Sequence, residues 1–598
     1  MIEKYQVTGN EYLSLPTLRE RDGAVEGLTF LHMGAKGMLE LKGDESAPLL
    51  RPFVTISRQE TALEDVSWSR EHYWIPSFFA KAGTLNVTGT VLCPLNERAF
   101  FYRLKLCNDG QSSIRCGAGL MGFWAQTLHE VNEAKPVGGQ AYLIQSNWNH
   151  HFVMEMRTGL PLFAWAPIFE DDVKEHFGQA ADGSIRFTLN REWTLAPGEE
   201  ATVDFIFGLG YEEVAASTSA KELYRRGFDK MRSETCLWLL RRERNLQDEK
   251  LKEILNTNMF FSFFFASGRT LDTEEFVLMT SRSPRYYVSC AYWDRDSLLW
   301  SLPAILMADR EYAKEILKYV FTKQIRNVGI HSRFIDGTVL EPGFELDELC
   351  APLIALEKLL QETCDESFLT ERYIQDGIRH ILRILDTKKH PELELYETFL
   401  QPTDDTHVYP YLTYGNVLVW RILTDLSKRL YRPELLDQAE RVREAILRYC
   451  VKERDGKRFF CWSTDLNGQY DVYDEPPGSL LLLSFYGFLK ADDPVYLNTC
   501  AMIRDPDYRY SFAGKPIAEI GSAHAPHPWV LSIANSLLCG HENTAKEHLL
   551  RTQMDNGIAC ESVHEETGEC TTGEAFATCA GFLAYAMDMA FGIEQCID

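Results

Sequence analysis

The spacing of apolar positions changes near residue 249. Before it, short runs alternate. Ile185, Phe187 and Leu189 are separated by polar residues, and Val203, Phe205 and Phe207 repeat the same period of two. That period is the mark of a half-buried strand. Arg98 to Asn108 is a similar strand rich in aromatics, closed by the turn Asn108-Asp109-Gly110. Further turns are expected at Ala181-Asp-Gly-Ser184 and Ala196-Pro-Gly-Glu199. Many strands with short turns predict an antiparallel β-sandwich over residues 1–215. No catalytic constellation stands out there. Trp124, Trp148, His150, His151 and Trp165 read as core rings of the sandwich.

Residues 216–248 read as a linker between domains, with one long helix over 217–245. It is charged on one side and carries Leu223, Phe228, Met231, Leu237 and Leu240 on the other.

From 249 to 598 the period is helical. Candidate helices cover about 249–266, 296–308, 310–326, 346–363, 366–386, 412–430, 433–452, 478–489, 494–504, 527–540, 541–555 and 574–592. In the fourth, Leu346, Leu349, Cys350, Leu353, Ile354 and Leu356 share one broad face. Short and long connections alternate. Short ones force antiparallel neighbours, so the long ones, about 267–295, 327–345, 387–411, 453–477, 505–526 and 556–573, gather at one end. This is the topology of an (α/α)6 toroid, six inner helices ringed by six outer ones. An open α-solenoid would show a repeated sequence unit, and none is visible. The expected fold class is therefore multidomain β + α: an N-terminal antiparallel β-sandwich, a linker helix and a C-terminal (α/α)6 toroid.

The chain has 598 residues, too many for one ordinary domain. Its net charge of -26 disfavours nucleic acid and anionic membranes as partners and leaves a neutral ligand unaffected. No apolar run approaches a membrane span. The first residues lack a basic stretch followed by an apolar core, so no signal peptide is expected. The 15 cysteines form no CxxC pair, the usage of reduced thiols in a cytoplasmic protein. Cys560, His564 and Cys570 match no metal-ligand spacing. No metal and no cofactor are expected.

The long links carry the candidate chemistry. The first holds Tyr292-Trp-Asp-Arg-Asp-Ser297 and the second leads into Gly343-Phe-Glu-Leu-Asp-Glu-Leu349. The third sets Asp404 and Asp405 after Pro402, among aromatic rings. The fourth holds Trp462 and Tyr470-Asp-Val-Tyr-Asp-Glu-Pro-Pro477. The fifth holds Glu519-Ile-Gly-Ser-Ala-His-Ala-Pro-His-Pro-Trp529, and the sixth Asp555 to His564, with Glu561 inside it. Converging at one mouth, these would form a polar pocket with aromatic walls. Such a pocket suits a sugar: charged groups bind hydroxyls and rings stack on its face. Trp293, Asp294, Arg295, Asp296, Asp347, His524, His527 and Trp529 are the candidate substrate-binding residues. Two opposed carboxyls would supply the chemistry, one donating a proton and one activating water. Each residue also has a plain structural role open to it. Asp294 and Asp405 suit helix caps, Asp347 and Glu348 favour a helix N-terminus, and the histidines pack or cap.

The same loops resemble glycoside hydrolase family 125, the metal-independent exo-α-1,6-mannosidases. Trp293-Asp-Arg-Asp-Ser297 is similar to that family's tryptophan and Arg-Asp-Ser, and Leu346-Asp-Glu-Leu-Cys-Ala-Pro352 to its Leu-Asp-Ser-Leu-Cys-Tyr-Pro. Gln401-Pro-Thr-Asp-Asp-Thr406 is similar to Arg-Pro-Ser-Asp-Asp-Ala, Ile520-Gly-Ser-Ala-His524 to Ile-Gly-Ser-Pro-His, and Cys560-Glu-Ser-Val563 to His-Glu-Ser-Phe. The resemblance, over about residues 280–585, implies a general acid in the pair, Asp405 before Asp404, a general base at Glu561, inversion at the anomeric carbon and no metal. Two departures, Gln401 for arginine and Cys560 for histidine, bear on sugar choice. The β-rich first third lies outside that family's core and looks like the sandwich of bacterial glucoamylases. His527-Pro-Trp529 and Glu561 resemble that group too, and a glucoamylase-type alignment would make Glu397 the acid.

The expected function is an exo-acting inverting α-glycoside hydrolase, first of all an α-mannosidase, releasing a terminal sugar from a small-molecule or oligosaccharide substrate. An α-glucosidase, a glycoside phosphorylase and a non-catalytic carbohydrate-binding protein are the alternatives. Covering the mouth, or pairing chains into a homo-oligomer, are the roles open to the sandwich.

Overall fold

Every pairing between the strands of the first 210 residues is antiparallel in the computed structural model, which describes residues 3–148, 150–157 and 162–593. Contacts divide the chain into two units. One is Met1–Glu243 with Ser267–Val277 and Arg282–Cys290, and the other is Arg244–Ala266, Leu278–Ser281 and Ala291–Asp598.

The first unit is built on sheets of six, eight and five strands. Alternation explains the packing: Ile185, Phe187 and Leu189 are buried, with Arg186 exposed between them. Rings cross between sheets, with Phe30 and Phe163 centroids 5.0 Å apart and Trp165 and Phe187 6.1 Å apart. This is the face-to-face core of a sandwich. The strand Glu200–Gly210 also buries Ile206. Its outer face is covered by helix α1, Glu213–Arg226. Trp124 and Trp165 are core residues as expected, whereas Trp148 is exposed, as is His150.

The single helix expected over 217–245 is two, α1 and α2 (Phe228–Leu240). Gly227, with φ of 78°, separates them, because that left-handed conformation cannot continue a helix. Leu223, Phe228 and Met231 are buried, but Leu237 and Leu240 face solvent.

The second unit holds α3 (Glu249–Phe265), α4 (Leu302–Ala308), α5 (Arg310–Thr322), α6 (Leu346–Thr363), α7 (Arg372–Thr387), α8 (Thr413–Arg429), α9 (Pro433–Tyr449), α10 (Pro494–Ile503), α11 (Val530–Leu538), α12 (Glu542–Arg551) and α13 (Ala577–Phe591). Helix α4 touches α6, α6 touches α8, and α8 touches the 3-10 turn Leu480–Leu483. That turn touches α11, α11 touches α13, and α13 returns to α4. The ring is closed, and α3, α5, α7, α9, α10 and α12 lie outside it. Apolar character distinguishes α13 from α9. Helix α13 is buried from Ala577 to Met587, whereas α9 buries only a stripe, as inner and outer helices must.

One inner segment departs from expectation. Residues 478–489 form 3-10 turns at Pro476–Gly478 and Leu480–Leu483 rather than an α-helix. Ser479 sits in extended backbone ahead of the leucines, and Gly487, with φ of 75°, stops the run after them. The first inner segment also begins unusually, as a π-helix over Arg295–Ser301. Such wide turns gather at functional sites.

The long links precede the inner segments and carry small hairpins. Ile330–Arg333 pairs with Val339–Phe344, and Ser562–Val563 with Cys570–Thr572. All described cysteines are free thiols. Among the described residues no helix is long and apolar enough to cross a membrane.

Candidate active site

Arg295 organises the mouth. It is 1% exposed, at the start of the π-helix, and ion-pairs with Asp404 at 2.6 Å, Glu345 at 2.7 Å and Asp347 at 3.1 Å. Glu348 and Asp296 lie at 3.6 and 3.7 Å. Burial alone would lower its pKa, but Asp404, Asp347, Glu345 and Glu348 hold it well above the ordinary value. Local structure explains the convergence. Glu345 precedes α6 and Asp347 and Glu348 lie in its first turn. Glu348 accepts the backbone N–H groups of Asp294 and Arg295, the latter at 3.0 Å, and so caps the neighbouring inner segment. Thr578, at the start of α13, donates to Asp296 Oδ1 at 3.0 Å.

The acid pair is split. Asp404 has φ of 66°, uncommon for a residue other than glycine. It turns to Arg295, and His331 Nδ1 lies 3.6 Å from the same oxygen. Asp405 points the other way, half exposed, with Oδ2 3.2 Å from His524 Nδ1. The far side of that ring, Nε2, lies 3.6 Å from Glu561 Oε1. Imidazole nitrogens are about 2.2 Å apart, so the Asp405 and Glu561 oxygens are separated by at most about 9 Å, against about 6.5–9.5 Å for inverting carboxyl pairs. Glu561 is buried, and its N–H donates at 3.2 Å to the carbonyls of Thr572 and Gly573 across the last hairpin.

The remaining candidates fall into two groups. Trp293, Asp296 and Asp347 join Arg295: Trp293 is buried edge-to-face on His331, with centroids 5.5 Å apart, and its Nε1 has no hydrogen-bond partner among the described residues. Trp529 lies behind His524, its ring centre 6.2 Å away and its Nε1 bonded to the Ala525 carbonyl. The others stand apart. Asp294 is enclosed in an ion pair with Arg333 and accepts from the Tyr292 hydroxyl at 2.6 Å. His527 stacks on Phe512 and His564 and contacts Glu565 at 2.9 Å. Glu397 is exposed, and its N–H donates to Lys388.

Glu345 and Glu348 stand in the motif Gly343-Phe-Glu-Leu-Asp-Glu-Leu349 without being assigned to substrate or catalysis from the sequence, and His331 is not among the sequence candidates. Glu345 and Glu348 belong to a run with three acids in four positions, more than a helix dipole needs, and that run was a usable signal. His331, in a link with no motif, gave none. His331, Glu345 and Asp404 place ligand atoms within 4.8 Å of one another. The guanidinium already neutralises both of those carboxyls, so the set is an ion-pair network with an imidazole rather than a bare cation cage. The Cys560 and Cys570 thiols contact each other, but His564 is turned away onto His527, so the three do not form one ligand set. Clefts of about 810 and 690 Å³ open beside Arg51 and Arg186 and beside Tyr508 and Arg509, and neither contains a residue of this mouth.

Burial raises Asp296 and Glu345 to about 7. His331 also stands above its ordinary value, because Glu345 and Asp404 outweigh burial. All three bind protons more tightly folded than unfolded; the stability that Asp296 and Glu345 contribute is complete below about pH 4 and is lost as pH rises through about 7, and that of His331 is lost above its ordinary titration range. Melting of the protein should therefore fall in temperature between pH 5 and 8, with a flatter profile for Asp296→Asn. A melting temperature that climbs across that interval contradicts the sign.

Residues 387–587 match the family model for metal-independent α-mannosidases (GH125). No curated protein matches the chain's sequence. Among solved structures, a Streptococcus pneumoniae protein of a family of metal-independent α-mannosidases, in a non-productive complex with α-1,6-mannobiose, is 18% identical. It aligns over 57% of this chain and 94% of its own, with a TM-score of 0.50. A bacterial glucoamylase complexed with acarbose is 13% identical over 98% of this chain and 95% of its own, with a TM-score of 0.64. A putative kojibiose phosphorylase from the human microbiome is 10% identical over 97% and 86%, with a TM-score of 0.62. The last two give the fold: a glucoamylase-like sandwich followed by an (α/α)6 toroid. With residues 387–587 matching that family model on this fold, the chain is a glycoside hydrolase.

Proposed function

We propose that this protein is an exo-acting, inverting α-mannosidase that releases one terminal sugar from an oligosaccharide. The observation that carries the reading is the meeting of Asp405 and Glu561 at the two nitrogens of His524. Asp404 is committed to Arg295, which leaves Asp405 to face the bond being broken. In a single displacement Asp405 gives its proton to the departing glycosidic oxygen. Glu561 takes a proton from the water that attacks the anomeric carbon from the opposite face, and the configuration inverts. Trp293, Arg295, Asp296 and Asp347 hold the sugar's hydroxyls and ring. The choice of mannose rests on the domain over residues 387–587 and on the mannobiose bound by the pneumococcal protein.

Release of free sugar from aryl α-mannosides, aryl α-glucosides and short α-linked oligosaccharides, followed by NMR of the first product anomer, tests this. The expected result is β-mannose formed first, without phosphate. Formation of α-mannose first excludes inversion. Preference for glucosides moves the assignment to the glucoamylase type, and a sugar phosphate made only in phosphate buffer identifies a phosphorylase.

A further inference from the structure

The turn that carries Asp404 and Asp405 is held from below by a carboxyl group outside the ion pairs of Arg295. Glu475 is fully buried. Its two oxygens both serve Thr403: Oε1 accepts the backbone N–H at 2.8 Å, and Oε2 accepts the hydroxyl at 2.8 Å. Thr403 is the residue before the acid pair. The turn itself is closed by Gln401 N–H to the Asp405 carbonyl at 3.0 Å and Asp404 N–H to the Gln401 carbonyl at 2.8 Å. It would not keep this shape unaided, because Asp404 sits in left-handed backbone. Glu475 has a second arm. Its neighbour Tyr473 donates its hydroxyl to the same carboxyl. That hydroxyl also accepts the N–H of Ala523 at 3.2 Å, beside His524. Gly478 completes the seat, since a Cβ there would fall 2.4 Å from the Pro402 ring.

We infer that Glu475 is a positioning residue that sets the proton-donating geometry of Asp405 relative to the His524 loop. The inference rests on the hydrolase reading above and adds a residue to it. The ordinary alternative is a buried polar group that only maintains the fold. The two differ in which substrates suffer. Proton donation matters when the leaving group is a poor one, such as a sugar or alkyl alcohol. A departing 2,4-dinitrophenolate or fluoride needs no proton. A displaced acid therefore slows the first class and spares the second, whereas a generally disturbed site slows both.

The test is Glu475→Gln in the full chain, with kcat/KM measured on a mannobiose, on 2,4-dinitrophenyl α-mannoside and on α-mannosyl fluoride. Asp405→Asn serves as the reference for a lost proton donor. We expect Glu475→Gln to lose about tenfold to a hundredfold on the disaccharide. On the two activated substrates it should lose less than about threefold, with the melting temperature near that of the parent. Equal losses on all three substrates, or none on the disaccharide, overturn the positioning role. If Glu475→Gln does not fold, Thr403→Val removes one of the two bonds and should show the same split with a smaller loss. Failure of the parent enzyme to cleave any α-mannoside strikes the functional reading instead, and is told apart by the parent's own rates.

Discussion

Glu561→Gln is expected to leave the fold intact and to lower turnover by a hundredfold or more, the usual range for a removed acid or base. Glutamine keeps the shape of the side chain and can still meet His524, 3.6 Å away, but it cannot take a proton from water. The loss should be equally large on poor and activated leaving groups, because attack by water is needed in both. That uniformity separates it from Asp405→Asn, whose defect should shrink as the leaving group improves. Measurement of kcat/KM for both variants on a disaccharide and a dinitrophenyl glycoside, with melting curves alongside, decides the matter. Unchanged turnover in Glu561→Gln would refute the base, and a defect in it that vanishes on activated substrates would exchange the two roles.

Arg295→Met is expected to be the most destabilising single change at the mouth. Five acidic side chains lie within 3.7 Å of the guanidinium. Methionine keeps much of the volume but leaves those acids facing one another without the cation. Breaking a buried ion pair by removing one partner costs about 3–5 kcal/mol. Here the cost depends on pH. Near pH 5 Asp296 and Glu345, which titrate at about 7, are protonated and repel less. Near pH 8 they are charged. Chemical unfolding of parent and variant at both values should show the larger gap at pH 8. Equal stability of the two proteins at both values would show that the cluster holds itself together without Arg295. Activity should be lost as well, because Asp404 is anchored only through this arginine and the 3.6 Å approach of His331 among the ion pairs described.

Much of this was open to reading along the chain, and for local reasons. Ile185, Phe187 and Leu189 show a two-residue period and form a strand; Leu346 to Leu356 show a helical one and form α6. The links before the inner segments were legible by length, and their motifs placed Asp405, His524 and Glu561 in separate loops of one mouth. The departures were local too, but of a kind that hydrophobic pattern does not report. Gly227 breaks a helix whose apolar stripe continues on either side. The leucines at 480–483 carry enough apolar surface for an inner helix, yet extended Ser479 before them and Gly487, with φ of 75°, after them leave only 3-10 turns.

By itself the sequence determined the order of layers, the ring of helices and the set of loops that meet at its mouth, since periodicity, turn chemistry and link length are properties of neighbouring residues. The tertiary structure alone decided which partner each charged group meets. Asp404 and Asp405 are adjacent and chemically identical, yet one is given to Arg295 and the other to His524. Glu475 reaches Thr403 from 72 residues away. Side-chain pairing across the ring depends on where distant loops come to rest and on how burial weighs each charge, and neither is written in the spacing of residues along the chain.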